Sequence, residues 1–184
     1  MLRVATFFCI LLINININYM RKVQTSNTDR CLTGVDVDEQ REEHESFFLA
    51  ADGSKHTKKA LAFLVSHEDL FSSEDELFVL NVQIQVPARI RSMLGSAEVA
   101  AYHREEGDKV LDPIKKFLDK HALSYRCTSL VGHPVEKILE AATKEKSELI
   151  VMGTRGHGLI GRTLVGSIAQ RVVSESDIPV LLVK

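Results

Sequence analysis

The 184-residue sequence has no tryptophan, three tyrosines and eight phenylalanines. So few rings argue against a platform on which single-stranded bases stack. Lysine and arginine form no run, and the net charge is −2 with both signs interspersed. Nothing there points to a nucleic-acid surface. The three cysteines, Cys9, Cys31 and Cys127, are odd in number and far apart, with no C-x-x-C pair. Neither a disulfide framework nor a zinc site is suggested. Cys127 falls in a predicted strand and reads as a small core residue. The set fits a reducing, cytoplasmic compartment.

The chain is 45% hydrophobic and 26% charged, which is enough to fill one globular core. Its apolar residues are unevenly placed. VATFFCILLI, residues 4–13, is a continuous apolar run that resembles the core of a signal peptide. It is short for a membrane span, Asn14, Asn16 and Asn18 interrupt it, and no small-x-small cleavage site follows. Three readings stand: a disordered upstream extension with Met20 as the true start, a signal or anchor on an exported or membrane-anchored chain, or a structured element. Residues 25–45 are polar and read as a solvated linker. We expect residues 1–45 to add no helix or strand in register with the sheet, and residues 46–184 to form the folded domain.

From residue 46 onward strands and helices alternate. SFFLAA (46–51), LFVLNVQI (77–84), SYRCTSLV (124–131), ELIVM (148–152) and IPVLLV (178–183) read as strands. Between them lie helical patterns: one after Ser54 as N-cap, one from Glu98 to His121 with Pro113 as an expected kink, one after Pro134, and one from about Ser167 to Glu175. Such alternation implies crossover connections and a doubly wound, Rossmann-like α/β domain with a five-stranded parallel sheet. Ligands in that architecture sit beyond the carboxyl ends of the strands. Asp52-Gly53-Ser54 and the loop from Gly153 occupy that place.

GTRGHGLIGRTLVGS, residues 153–167, matches three phosphate-loop patterns. The G-x-G-x-x-G of 156–161 follows the fourth strand rather than the first, and no acid lies about 20 residues on. The P-loop spacing of 156–163 has Arg162 where a compact lysine ammonium belongs, and no later strand ends in an acid for magnesium. The third pattern is Gly153, two residues, Gly156, nine residues, Gly166-Ser167. Glycines there allow close approach to a phosphate and positive φ. Gly166-Ser167 opens a helix, whose free N–H groups and dipole favour an anion. Arg155, His157 and Arg162 add positive charge. His133 and Glu136 lie three apart, as zinc ligands sometimes do, but no third ligand is visible and a capping turn is the simpler reading.

With Met152 before it and IPVLLVK after it, the third pattern resembles the universal stress protein family in its nucleotide-binding branch. The Asp-Gly-Ser after the first strand, the Asn-Val of the second and the Gly-His-Pro before the third helix fall in family order. The resemblance covers about residues 46–184 and implies strand order 3-2-1-4-5. It implies an acid at Asp52 near the nucleoside and any metal, adenine recognition by the Val82 backbone, and Met152 and Gly153 beside the adenosine. Gly156, Gly166, Ser167 and the Ile168 N–H would form the phosphate cradle. Ala50 stands where some members have proline, and Ala169 where some have a hydroxyl. The ligand implied is ATP, with AMP or ADP as variants and Mg2+ as a companion ion. The partner implied is a second copy paired through strand 178–183.

The leading functional reading is an ATP-binding regulatory stress-response protein, with at most slow hydrolysis and no assigned catalytic or metal-binding residue. An ATPase or phosphotransferase would need a placed base and electrostatic clamps. A nucleotide-free interaction module is the third reading, and the intact glycine pattern argues against it.

Overall fold

The computed structural model describes residues 11–13, 46–67, 71, 75–156 and 165–184. Their strands are β1 (Leu11–Ile13), β2 (Ser46–Ala50), β3 (Glu76–Gln83), β4 (Tyr125–Val131), β5 (Leu149–Gly153) and β6 (Val180–Val183). Their helices are α1 (Lys55–Ser66), α2 (Ala88–Leu94), α3 (Ser96–Lys120), α4 (Pro134–Lys144) and α5 (Ser167–Glu175). The sheet order is β1-β6-β5-β2-β3-β4. The β2–β3, β2–β5, β3–β4 and β5–β6 pairs are parallel. Numbered among themselves, these five strands give 3-2-1-4-5, as expected.

Strand alternation divides the core into two layers. Phe47 and Leu49 of β2, Leu77 and Val79 of β3, Val151 of β5, and Leu181 and Val183 of β6 face α1 and α3. Phe48 and Ala50, Phe78 and Leu80, Ile150 and Met152, and Val180 and Leu182 face α4 and α5. β2, β3, β5 and β6 bury apolar residues on both sides because helices cover both sheet faces. Each large side chain fully removed from water contributes about 1.5–3 kcal/mol.

Two expectations need correction. Residues 1–45 do contribute a strand: β1 pairs antiparallel with β6, Leu11 opposite Leu182 and Ile13 opposite Val180. Consequently β6, the strand through which the resemblance implied pairing with a second copy, has β1 on its outer side. An apolar strand with unpaired backbone groups attracts another apolar strand, and the LLI of the leader meets that need. Helix α2 was not anticipated. None of its residues is buried, so no apolar face marks it in the sequence. Helix α3 runs through Pro113 without a break. Cys9, Cys31, Met20 and the linker 25–45 lie outside the described residues.

Ser54 caps α1 as its sequence position suggests. Its Oγ accepts the His56 and Thr57 N–H groups at 3.2 and 3.3 Å and lies 3.3 Å from the Arg155 carbonyl, to which it donates. It thus joins the first helix to the glycine loop. Ser54→Ala should lower unfolding stability by about 1–2 kcal/mol, a cap loss at a buried site, read from urea melts. An unchanged midpoint would show that the cap contributes nothing.

Candidate functional site

Parallel strands deliver their carboxyl ends to one rim of the sheet. There β2 and β5 stand side by side, and the chain leaves them in opposite directions. Asp52 follows β2. Its Oδ1 accepts the Ser54 N–H at 2.9 Å and the Thr57 hydroxyl at 2.7 Å, while its own N–H reaches Thr57 Oγ1 at 3.2 Å. The carboxylate is therefore fixed as an Asx turn, helped by Gly53 at φ +79°, a value that favours glycine. The other carboxylate oxygen packs against Gly156, where an added Cβ would come within 2.5 Å of it.

Gly153 and Gly156 therefore serve close approach rather than unusual backbone angles. Neither Gly153 nor Gly156 has positive φ, and Gly166 sits at φ −74°, ψ 156°. The expectation of positive φ is corrected for these three glycines. Gly153 is glycine because α1 crosses it: a Cβ there would lie 2.5 Å from His56 Cβ and 3.0 Å from the His56 carbonyl carbon. Burial, then Lys55, Lys59 and Arg155, push the His56 pKa below its usual value, which keeps the ring neutral at pH 7.

The loop is held at both ends. Thr154 N–H donates to Val183 O at 2.9 Å, and Gly166 N–H donates to Thr154 O at 2.7 Å. The Gly166 N–H is thereby used inside the protein. Next come Ser167, Ile168 and Ala169, the first residues of α5, whose N–H groups have no intrahelical acceptor. Among the described residues no side-chain cap covers them. This helix start faces a cavity of about 460 Å3, within the usual range of small-molecule sites.

All nine residues singled out from the sequence line that cavity: Ala50, Asp52, Val82, Met152, Gly153, Gly156, Gly166, Ser167 and Ile168. Its wall combines apolar side chains, Leu80, Val82, Ile138 and Met152, with Asp52, Arg155 and the α5 start. The sequence reading missed Thr57, Ile84, Pro134 and Thr154 in the wall. Thr154 Oγ1 is buried with no hydrogen-bond partner among the described residues, so its hydroxyl is a polar contact in waiting. Ile84 is 74% exposed at the mouth. No signal other than its place just past β3 could have found it. His157 and Arg162 fall outside the described residues.

Other candidates do not form sites. A hollow of about 660 Å3 is lined by residues of α3 alone, such as Arg104, Asp108 and Lys116, and is relief between charged side chains. His133 takes the N-cap position of α4 but makes no side-chain cap bond; its Nδ1 lies 3.9 Å from Glu136 and its Nε2 3.5 Å from Arg171. No cluster of three or more metal-ligating side chains occurs among the described residues. Nor, among them, is any helix long and apolar enough to cross a membrane.

Known proteins share both sequence and fold with this chain. It is 36% identical over 143 residues to a universal stress protein of Thermus aquaticus, covering 76% of this chain and 98% of the relative. It is 32% identical over 145 residues to one of Methanocaldococcus jannaschii, covering 77% and 82%. Among solved structures, another universal stress protein of M. jannaschii superposes with a TM-score of 0.66 at 26% identity, covering 77% of this chain and 96% of that one. Two more distant structures share the fold. The Archaeoglobus fulgidus protein in complex with dAMP has TM-score 0.56 at 19% identity, covering 77% and 98%. The Arabidopsis thaliana protein with AMP bound has TM-score 0.54 at 16% identity, covering 76% and 90%. The profile of the universal stress protein family matches residues 45–184, and the chain belongs to that family.

Proposed function

We propose that the protein is an ATP-binding regulatory stress-response protein that works as a homodimer. The observation that carries this reading is the cavity itself. Residues from the ends of β2, β3 and β5 and from the start of α5 line one 460 Å3 space that combines apolar side chains with the uncapped N–H donors of a helix start. An adenine ring suits Val82 and Met152, with Val82 backbone groups reading its edge. Phosphates suit the start of α5, where the Ser167 and Ile168 N–H groups meet negative charge. The Thr154 hydroxyl and Arg155 extend that lining, and Asp52 stands where a nucleotide-bound Mg2+ would be met. The bound dAMP and AMP of the two distant relatives support the adenine nucleotide class.

Hydrolysis should be slow. Among the described residues the one carboxylate in the cavity wall is Asp52, and its Oδ1 already receives two hydrogen bonds. A base that activates water needs a lone pair turned toward that water. We place the protein in the cytoplasm, where thiols remain reduced. Burial raises the Cys127 thiol pKa to about 11, so it stays protonated.

Mass spectrometry of nucleotide released from the purified protein, followed by calorimetry, tests the function. ATP should bind with a dissociation constant in the micromolar range and turn over well below about 1 per second, the lower end of ordinary enzymes. Absence of binding at millimolar ATP would remove the reading. Turnover above that rate, eliminated by Asp52→Ala, would make the protein an ATPase instead.

A further inference from the structure

We propose that the leader strand β1 is an internal competitor for the dimer edge: it caps β6 in the monomer and must leave before a second copy can pair there. This rests on the reading of strand 178–183 as the dimer contact.

The geometry has three parts. First, β1 occupies the outer edge of β6, with Leu12 opposite Leu181 and Ile13 opposite Val180. A strand edge can bond one neighbour at a time, so β1 and a second copy exclude each other there. Second, β1 runs antiparallel while every other pair in the sheet is parallel. Two copies joined edge to edge by a two-fold axis perpendicular to the sheet pair their edge strands antiparallel. The leader thus runs in the direction that the β6 of a second copy would take. Its LLI also matches the apolar character of VLLV. Third, the cap is small. Three residues offer fewer hydrogen bonds than the four of β6. Residues 14–45 tether it, which keeps it at high effective concentration without making it permanent.

The effect on assembly is steep because both copies must open. A cap closed about ten times as often as it is open lowers the competent fraction of each copy roughly tenfold. The apparent dimer dissociation constant then rises about 100-fold. Any condition that draws the leader away would promote the dimer by the same factor.

The test uses the full chain in three forms, followed by sedimentation over about 1–100 μM. The first is the wild type. The second is Leu12→Pro, which removes a ladder N–H and cannot continue a strand. The third carries Ile13→Cys and Val180→Cys with Cys9→Ser, Cys31→Ser and Cys127→Ala, so that a disulfide locks β1 to β6 and its reduced form is the control. The locked chain should stay monomeric at every concentration. Its reduced form should dimerise like the wild type, and Leu12→Pro should dimerise with an apparent constant at least tenfold lower. Equal constants for wild type and Leu12→Pro would overturn the proposal, as would a locked chain that dimerises like its reduced form. A 13–180 disulfide found between chains rather than within one would also overturn it. No dimer in any form would sink the dimer reading along with it, whereas ATP binding, measured on the same samples, stands or falls separately.

Discussion

Gly153→Ala should destabilise the protein by about 2–3 kcal/mol. A single methyl seldom costs that much, and the reason lies in what it meets. The new Cβ would sit 2.5 Å from His56 Cβ and 3.0 Å from the His56 carbonyl carbon. The carbonyl carbon is backbone, in the first turn of α1, and cannot swing aside as a side-chain tip can. That turn is itself fixed. Ser54 caps it, Thr57 bonds Asp52, and Ala60, Leu61 and Leu64 lie in the core behind it. Relief requires α1 to move away from β5, which opens a packed layer. Overpacking of this kind costs about 1–3 kcal/mol, and the rigidity of the site puts the expectation in the upper part of that range. For a chain of this size the melting temperature falls roughly 2–4 °C per kcal/mol. Thermal and urea melts of the variant read it directly. A midpoint within 1 °C of wild type would show that α1 shifts freely.

That prediction also marks how far a sequence can be read. The five parallel strands, the Ser54 cap and the opening of α5 are legible because they rest on local chemistry. Apolar runs of strand length, a hydroxyl before one helix and a Gly-Ser step opening another each carry their own signal. All nine expected site residues meet at one cavity because the doubly wound topology brings the ends of non-adjacent strands together. What stays hidden depends on distance in three dimensions. Gly153 belongs to a glycine pattern read as phosphate-directed, yet the position its Cβ would take faces His56, 97 positions earlier. Gly156 accommodates Asp52 by the same logic. The partner of the β6 edge was hidden too, since nothing local connects residues 11–13 to 180–182. Helix α2 lacks a buried face, and without one periodicity has nothing to report.

Ser167→Pro should leave the fold intact and weaken ATP binding about 10- to 100-fold. Ser167 is the first residue of α5. Proline is well tolerated there, because its fixed φ suits the first turn and no intrahelical bond uses that N–H. The residue before a proline must be extended, and Gly166 already is, at φ −74° and ψ 156°. The substitution thus removes one N–H and one hydroxyl from the cavity wall with little cost to the helix. If phosphates rest on the start of α5, they lose a charge-assisted hydrogen bond, worth about 1.5–3 kcal/mol. That range corresponds to about 10- to 100-fold in affinity. Adenosine, which has no phosphate, should bind the variant and the wild type within about twofold of each other. Calorimetry with ATP and with adenosine on both proteins, alongside their melting temperatures, separates the possibilities. Equal loss for both ligands would mean that the proline distorts the whole cavity. Unchanged ATP affinity with unchanged stability would place the phosphates elsewhere, and the helix N-terminus would then be no part of the cradle.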